Sequence, residues 1–254
     1  MLLEKRIPEN LNKLRIDLVL KKLKMVDSRN QAIALIMEGN VFVNDEKIIK
    51  PGKIVNSDTV IKIKKKDHKW VSRGGIKLAN ALKTLQISMN GKVCIDVGCS
   101  TGGFTHVMLE DGAKKIYAVD VGYGQFDWRL RNSEKVELLE RTNARNLSKE
   151  KIPENVDVIV CDVSFISIKK IFIPLKNFLK SSYQIVSLIK PQFEVTRKEV
   201  GKGGIVRDSL IHNKVCSDLK LWFKNNFDYK NIQILESQIL GQKGNKEFFI
   251  YIKN

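Results

Sequence analysis

The sequence predicts an α/β protein in two parts: a small α+β module, then a Rossmann-like domain built on a mixed, mostly parallel seven-stranded sheet. Three observations predict it. Apolar runs of strand length alternate with helix-like segments from residue 92 to 189, the pattern of a parallel sheet covered on both faces. The patterning changes near residues 65 to 75, where a charged stretch separates two registers of apolar residues. The chain of 254 residues is also 43% apolar, enough for a packed core, while carrying a formal net charge of +17. Such an excess on a folded body points to a polyanionic partner, because basic surfaces steer and hold phosphate backbones.

In the first part, Ile16, Val19, Leu20 and Leu23 fall at i, i+3, i+4 and i+7, with Arg15, Lys21 and Lys22 on the outer face, which describes an amphipathic helix. A second helix follows, with Ser28 as N-cap, Ile33, Ile36 and Met37 as its inner stripe, and Gly39 as its terminator. Short strands are expected at 41 to 43, 48 to 49 and 60 to 64, separated by turns at Asn44-Asp45 and Pro51-Gly52. The order of these elements resembles the S4 RNA-binding domain. That resemblance makes Arg15, Ser28, Arg29 and Gln31 candidate RNA contacts; a solvated basic helix face is the plainer alternative.

We place the modules at residues 1 to 64 and 74 to 254, with a connector at 65 to 73. Strands of the second module are expected at 92 to 97, 115 to 121, 136 to 139, 156 to 161, 185 to 189, 231 to 236 and 247 to 252, the last two as antiparallel edge strands. Helices are expected at 104 to 110 and 210 to 223. Four scattered cysteines without C-x-x-C spacing suit a reducing cytoplasm, and neither a signal peptide nor a spanning segment is visible. Three scattered histidines give no metal-ligand spacing, so no metal is expected.

The segment Asp96-Val97-Gly98-Cys99-Ser100-Thr101-Gly102-Gly103-Phe104-Thr105 lies where a strand turns into a helix. Glycines there admit a ligand close to the backbone, and the helix start offers free N–H groups. The spacing is neither G-x-G-x-x-G nor a P-loop. Asp120 ends the next strand 22 residues after Gly98, where a carboxylate can accept from both hydroxyls of a ribose. A ribose acid and a glycine turn without a phosphate-binding lysine suit a nucleoside cofactor lacking phosphates, of which S-adenosylmethionine is the commonest. A tight turn beside an ordinary strand-end acid is the alternative.

Two later strand ends carry Asp162 and Lys190. Base-amine methyltransferases place Asn or Asp before Pro-Pro-aromatic at the first of these positions; Asp162-Val163-Ser164-Phe165 lacks the prolines, which disfavours that chemistry. A lysine ending an apolar strand either snorkels to solvent or is tuned by burial and neighbouring cations toward use as a base.

Together with Trp70-Val71-Ser72-Arg73-Gly74-Gly75-Ile76-Lys77-Leu78, Asp120-Val121-Gly122-Tyr123-Gly124-Gln125, Arg141-Thr142-Asn143-Ala144-Arg145, Asp162-Val163-Ser164-Phe165-Ile166-Ser167, Lys190-Pro191-Gln192-Phe193-Glu194 and Gly244-Asn245-Lys246-Glu247-Phe248-Phe249, the chain resembles the TlyA family over nearly its whole length. That family joins an S4 domain to an FtsJ-like, Rossmann-like class I SAM-dependent methyltransferase acting on ribose 2′-hydroxyls of cytidines in ribosomal RNA. The resemblance implies a catalytic tetrad of Lys77, Asp162, Lys190 and Glu247, with Lys190 as base or orienter. It implies a cofactor site of Asp96, Gly98, Ser100, Thr101, Gly102, Gly103, Phe104, Thr105, Asp120, Val121, Asn143 and Asp162, and adds Arg73 to the RNA contacts. Ribosomal RNA or a ribosomal subunit is then the partner, without stable membrane association, and a monomer is expected.

Two departures stand out. Asp67-His68-Lys69-Trp70-Val71 replaces an Arg-x-Trp-Val linker, and Cys99 replaces a smaller loop residue. The short stretch after the last strand resembles members acting on large-subunit RNA. Two other readings follow from the same resemblance: a haemolysin-type membrane-active protein, since some members carry that label, and a ribosome-associated RNA-binding protein with an inactive catalytic domain.

Overall fold

The computed structural model describes residues 2–37, 39–64, 68–241 and 244–254. The chain forms two compact units, Met1–Lys69 and Trp70–Asn254. The connector expected at 65 to 73 lies in part outside the described residues, and its last residue, Arg73, already belongs to a helix.

In the first unit, β1 (Leu2–Arg6), β3 (Val41–Val43), β4 (Glu46–Ile48) and β6 (Val60–Lys64) form an antiparallel sheet in the order β1-β6-β3-β4. A second pair joins β2 (Leu14–Arg15) to β5 (Ile54–Val55). Helices α1 (Ile16–Lys22) and α2 (Arg29–Met37) complete the core through Ile16, Leu20, Ala32 and Ile36, packed on Val41 and Ile61. Asn44 and Asp45 both hold positive φ, 47° and 66°, the conformation a two-residue hairpin requires. The sequence reading needs two corrections here. Met37 is 67% exposed because the buried row of α2 runs through Ala32 and Ile36, one helical turn apart; the next residue is rotated about 100° away from it. Ile49 lies beyond the end of β4 and is exposed.

The second unit opens with α3 (Arg73–Leu85), followed by β7 (Val93–Val97), α4 (Gly103–Glu110), β8 (Lys115–Val119), α5 (Trp128–Arg131) and β9 (Val136–Leu139). Then come β10 (Val156–Cys161), α6 (Ile168–Leu175), β11 (Leu179–Ile189), α7 (Ser209–Asn226), β12 (Asn231–Glu236) and β13 (Phe248–Lys253). The seven strands lie in the order β12-β13-β11-β10-β7-β8-β9. The five on the β9 side pair in parallel, and β13 is antiparallel to both its neighbours.

Successive residues of the central strands feed opposite layers, as the two-residue period demands. Ile95, Val97, Ile159 and Cys161 pack with Phe172, Leu219 and Phe223 under α6 and α7. Cys94, Val158 and Val160 pack with Leu78 and Met108 under α3 and α4. Each fully buried large side chain of this kind contributes roughly 1.5–3 kcal/mol. One expectation changes here: of the last two strands, only β12 lies at an edge. β13 sits between β12 and β11, which is why Phe249, Ile250 and Ile252 are all buried. From β7 the chain winds outward through β8 and β9, then returns to the other side of β7 for β10 and β11. The reversal leaves a crevice at the carboxyl ends of β7 and β10, where open α/β sheets bind ligands.

Candidate functional site

Asp96, at the carboxyl end of β7, is fully buried. Its Oδ2 accepts from Thr105 Oγ1 at 2.6 Å, and its Oδ1 has no hydrogen-bond partner among the described residues. The loop beyond it is held in left-handed conformations at Gly98, Ser100 and Gly102, with φ of 81°, 47° and 92°. Gly102 caps α4 without a side chain, so the first N–H groups of that helix stay open toward the loop. Gly103 lets α4 press against the start of α3; a Cβ there would strike Ser72 Oγ and the backbone nitrogen of Gly75.

Asp120 ties the next loop in. Its Oδ2 accepts from Ser100 N at 2.8 Å and its Oδ1 from Gly122 N at 2.7 Å, leaving one further lone pair on each oxygen for a diol. Val121 beside it is 70% exposed. Asn143 lies after β9, and its Oδ1 accepts from Arg145 N. A turn that excludes a Cβ, an orphaned buried carboxylate oxygen and a strand-end acid facing the same loop fit a nucleoside with a charged amino-acid tail. Two residues of the expected cofactor set, at the start of α4, are engaged within the protein itself. The Phe104 ring is buried against Phe249, centroids 6.3 Å apart, and Thr105 is consumed by Asp96.

Burial pushes the Asp96 carboxyl up to about 7, against the hydrogen bond from Thr105, and the neighbouring charge of Asp162 pushes the same way. Between about pH 4 and 7 the folded chain therefore keeps a proton that the unfolded chain has lost, so this residue's contribution to stability falls as pH rises through that window. Asp96→Asn should remove the dependence. Relative to wild type, the variant is expected to gain on the order of 2–4 kcal/mol on going from pH 4 to pH 8, read from urea unfolding at both values. A difference between the two proteins that does not change with pH would refute the assignment.

The expected tetrad comes together from four elements. Lys77, on α3, donates to Glu247 Oε2 at 2.6 Å, and the pair is nearly buried, with Glu247 2% exposed. Lys190, just past β11, lies 2.6 Å from Asp162 Oδ1 and donates to Ser164 Oγ at 2.9 Å. Burial raises the Glu247 carboxyl above its usual range; Lys77 is the main charge opposing this, and Lys190 and Asp162 are near enough to act on it as well. Two lysines and two carboxylates thus offset one another in a poorly solvated place, where any one alone would be costly. Gly241 closes over this group, since a Cβ there would overlap the Glu247 carboxylate. Gly98 faces the Asp162 carbonyl directly, so the glycine loop and the tetrad adjoin.

An FtsJ-like methyltransferase model matches residues 70–254, and an S4 domain model matches residues 14–61. The chain is 38% identical over 240 residues to the 16S/23S rRNA (cytidine-2′-O)-methyltransferase TlyA of Mycobacterium tuberculosis, covering 94% of this chain and 89% of that one. The chain belongs to the TlyA family of FtsJ-like methyltransferases. The 23S rRNA (cytidine-2′-O)-methyltransferase TlyA of Campylobacter jejuni is 34% identical over 261 residues, covering 95% of this chain and all of that one. Among solved structures, a hemolysin candidate from Streptococcus thermophilus shares 38% identity with a TM-score of 0.73, over 96% of this chain and 89% of that one. No helix among the described residues is long and apolar enough to cross a membrane.

Within this TlyA-family chain two of the RNA contacts expected in the first unit, Arg15 and Arg29, share an organiser that has no signal in the sequence. Asp17 is fully buried and receives Arg15 through Nε and Nη2 at 3.1 and 3.0 Å, and Arg29 through Nε at 2.9 Å. Burial alone would push its carboxyl up; the two guanidinium groups outweigh that and hold it below the ordinary range. The arginines are thereby fixed with their remaining N–H groups half exposed. Ser28 and Gln31 serve α2 itself. Ser28 Oγ accepts from Gln31 N and Gln31 Oε1 accepts from Asp27 N, a variant of the capping box. Arg73 is exposed at the start of α3.

Phe165 is the other residue missed. Three positions beyond Asp162, it holds φ of 66° and is 89% exposed, with its ring 5.1 Å from that of Phe193. Left-handed backbone at a bulky side chain is a strained arrangement that tends to mark function. The only sequence signal was its place in the Asp162-Val163-Ser164-Phe165 segment.

Proposed function

We propose that this chain transfers a methyl group from S-adenosylmethionine to a ribose 2′-hydroxyl of ribosomal RNA, at a cytidine, with large-subunit RNA as the principal substrate. The observation that carries the reading is the pairing of Lys190 with Asp162 and of Lys77 with Glu247 beside the glycine loop. The 23S label common to the names of the Mycobacterium tuberculosis and Campylobacter jejuni relatives supports the choice of RNA.

When bound, the cofactor supplies an electrophilic methyl carbon on a sulfonium that is already a good leaving group. Asp96, Gly98, the first N–H groups of α4 and Asp120 would hold it. An ammonium has three donors; Ser164 takes one from Lys190 and Asp162 lies 2.6 Å away as its counter-ion, which leaves a donor for the 2′-oxygen. As that oxygen bonds to the methyl carbon and gives up its proton to solvent, the lysine charge stabilises the developing anion, which is the usual gain from a preorganised donor. Asp162 orients the lysine. The Lys77–Glu247 pair sets the local field without adding net charge. Phe165 offers an exposed face on which the target base stacks, an interaction worth about 1–3 kcal/mol and tolerant of base identity. The first unit supplies grip on structured RNA through Arg15 and Arg29, with an affinity that weakens as salt rises.

Mass-spectrometric mapping of methylated ribose in ribosomal RNA, from cells with and without this protein, tests the reading. The expected result is a 2′-O-methylcytidine that disappears with the protein. Methyl groups only on bases, or no difference at all, would overturn it.

A further inference from the structure

Asp162 and Lys190 stand at the heads of two loops, and one side chain outside the tetrad joins those loops. Glu194 Oε2 accepts from Ser167 Oγ at 2.7 Å, and its Oε1 accepts from Ile168 N at 2.8 Å. Both donors lie in the segment that follows β10, whereas Glu194 follows β11. Among the described residues Glu194 makes no ion pair, and burial raises its carboxyl above the usual range against those two hydrogen bonds. Ser167 Oγ caps α6 at Lys169 N, and Glu194 takes the amide before it, Ile168 N, so the glutamate serves the helix start as well. Because it reaches there from 27 residues away, the same contacts also tie two loops together. The working part of the site adjoins its two attachment points. Ser164, which accepts from Lys190, and Phe165, with its strained backbone, precede Ser167; Phe193, against which Phe165 rests, precedes Glu194.

We infer that Glu194 is a positioning residue for methyl transfer: by clamping the segment after β10 to the turn after β11, it sets Asp162 and Ser164 against Lys190 and holds the Phe165 ring on Phe193. The inference rests on the ribose-methylation reading above. Its carboxylate touches neither substrate nor cofactor in this scheme, so its loss should act on kcat through geometry, where a misplacement of about 1 Å can cost on the order of 100-fold.

The test uses full-length Glu194→Ala, Glu194→Gln and Ser167→Ala, with methylation of ribosomal RNA as the activity and S-adenosylhomocysteine titration as the measure of the cofactor site. For Glu194→Ala we expect kcat to fall by roughly 30- to 100-fold with affinity for S-adenosylhomocysteine held within about threefold. Glu194→Gln keeps one acceptor and should recover part of kcat; Ser167→Ala should lose a smaller part. In a Phe165→Ala background, Glu194→Ala should cost less than it does alone, because the part of its effect that runs through the Phe165 ring is already lost. If Glu194→Ala does not fold, Glu194→Gln and Ser167→Ala decide the matter by the same split. Unchanged kcat overturns the inference, as does kcat falling in parallel with cofactor affinity while the glutamine variant is no better than alanine. A wild-type chain that methylates no ribose overturns the functional reading and this inference together, whereas an active wild type with indifferent Glu194 variants overturns this inference alone.

Discussion

Lys190→Ala is expected to lower kcat for ribose methylation by about 10²- to 10³-fold, the usual effect of removing one preorganised donor from a developing oxyanion, while cofactor affinity stays within about threefold. The split follows from where the lysine sits. It contacts Asp162 at 2.6 Å and Ser164 at 2.9 Å, both after β10, whereas the groups placed to hold the cofactor are Asp96, Asp120 and the turn at Gly98. Removing it leaves the Asp162 carboxylate without its cation but still 21% exposed, so the fold should survive. Lys190→Arg sharpens the result. A guanidinium keeps the charge but presents a planar fork in place of a compact point charge, and it should recover less than about tenfold of the loss. Single-turnover methylation with saturating cofactor, alongside S-adenosylhomocysteine titration, measures both quantities. Full activity in Lys190→Ala would remove the tetrad from the mechanism.

Much of the site was legible because its residues stand at strand ends, and strand ends can be read from where apolar runs stop. The runs at 136 to 139, 156 to 161 and 231 to 236 coincide with β9, β10 and β12, and Asp120, Asp162 and Lys190 follow from such endings. β11 extends further back than its apolar run because Lys180 to Ser182, which follow its first residue Leu179, are polar and exposed. The place of β13 was misjudged for a different reason. An unbroken Phe248-Phe249-Ile250-Tyr251-Ile252 run is what a strand covered on both faces shows, but its neighbours are set by long-range pairing rather than by anything local. Asp17 carries no signal in the sequence, since its partner Arg29 lies twelve residues away on another helix. The left-handed backbone of Phe165 and the link from Glu194 to Ser167 are likewise products of tertiary packing, which a period of apolar residues does not encode.

Gly98→Ala should abolish function by a route distinct from that of Lys190, and the reason is backbone contact on both sides of the turn. Gly98 holds φ of 81°, and a Cβ there would lie 2.6 Å from the Asp162 carbonyl oxygen and 3.0 Å from its carbon. Those are main-chain atoms, so no change of rotamer relieves the overlap. Nor can the two segments drift apart cheaply: Asp162 N donates to Val97 O and Gly98 N donates to Val119 O, each at 2.9 Å. The added methyl group must therefore break one of these bonds or force the turn out of its left-handed conformation, and either change moves the cofactor loop and Asp162 together. We expect S-adenosylhomocysteine affinity to fall at least about 100-fold, equivalent to roughly 2.7 kcal/mol, and methylation to fall with it. Gly91→Ala is the control. Gly91 has a similar φ of 71° but nothing within 4 Å of a built Cβ, so it should carry only the backbone strain, about 1 kcal/mol in stability, and bind cofactor as wild type does. If both alanines weaken binding equally, positive φ alone is responsible; if Gly98→Ala binds normally, the Asp162 carbonyl does not limit the turn.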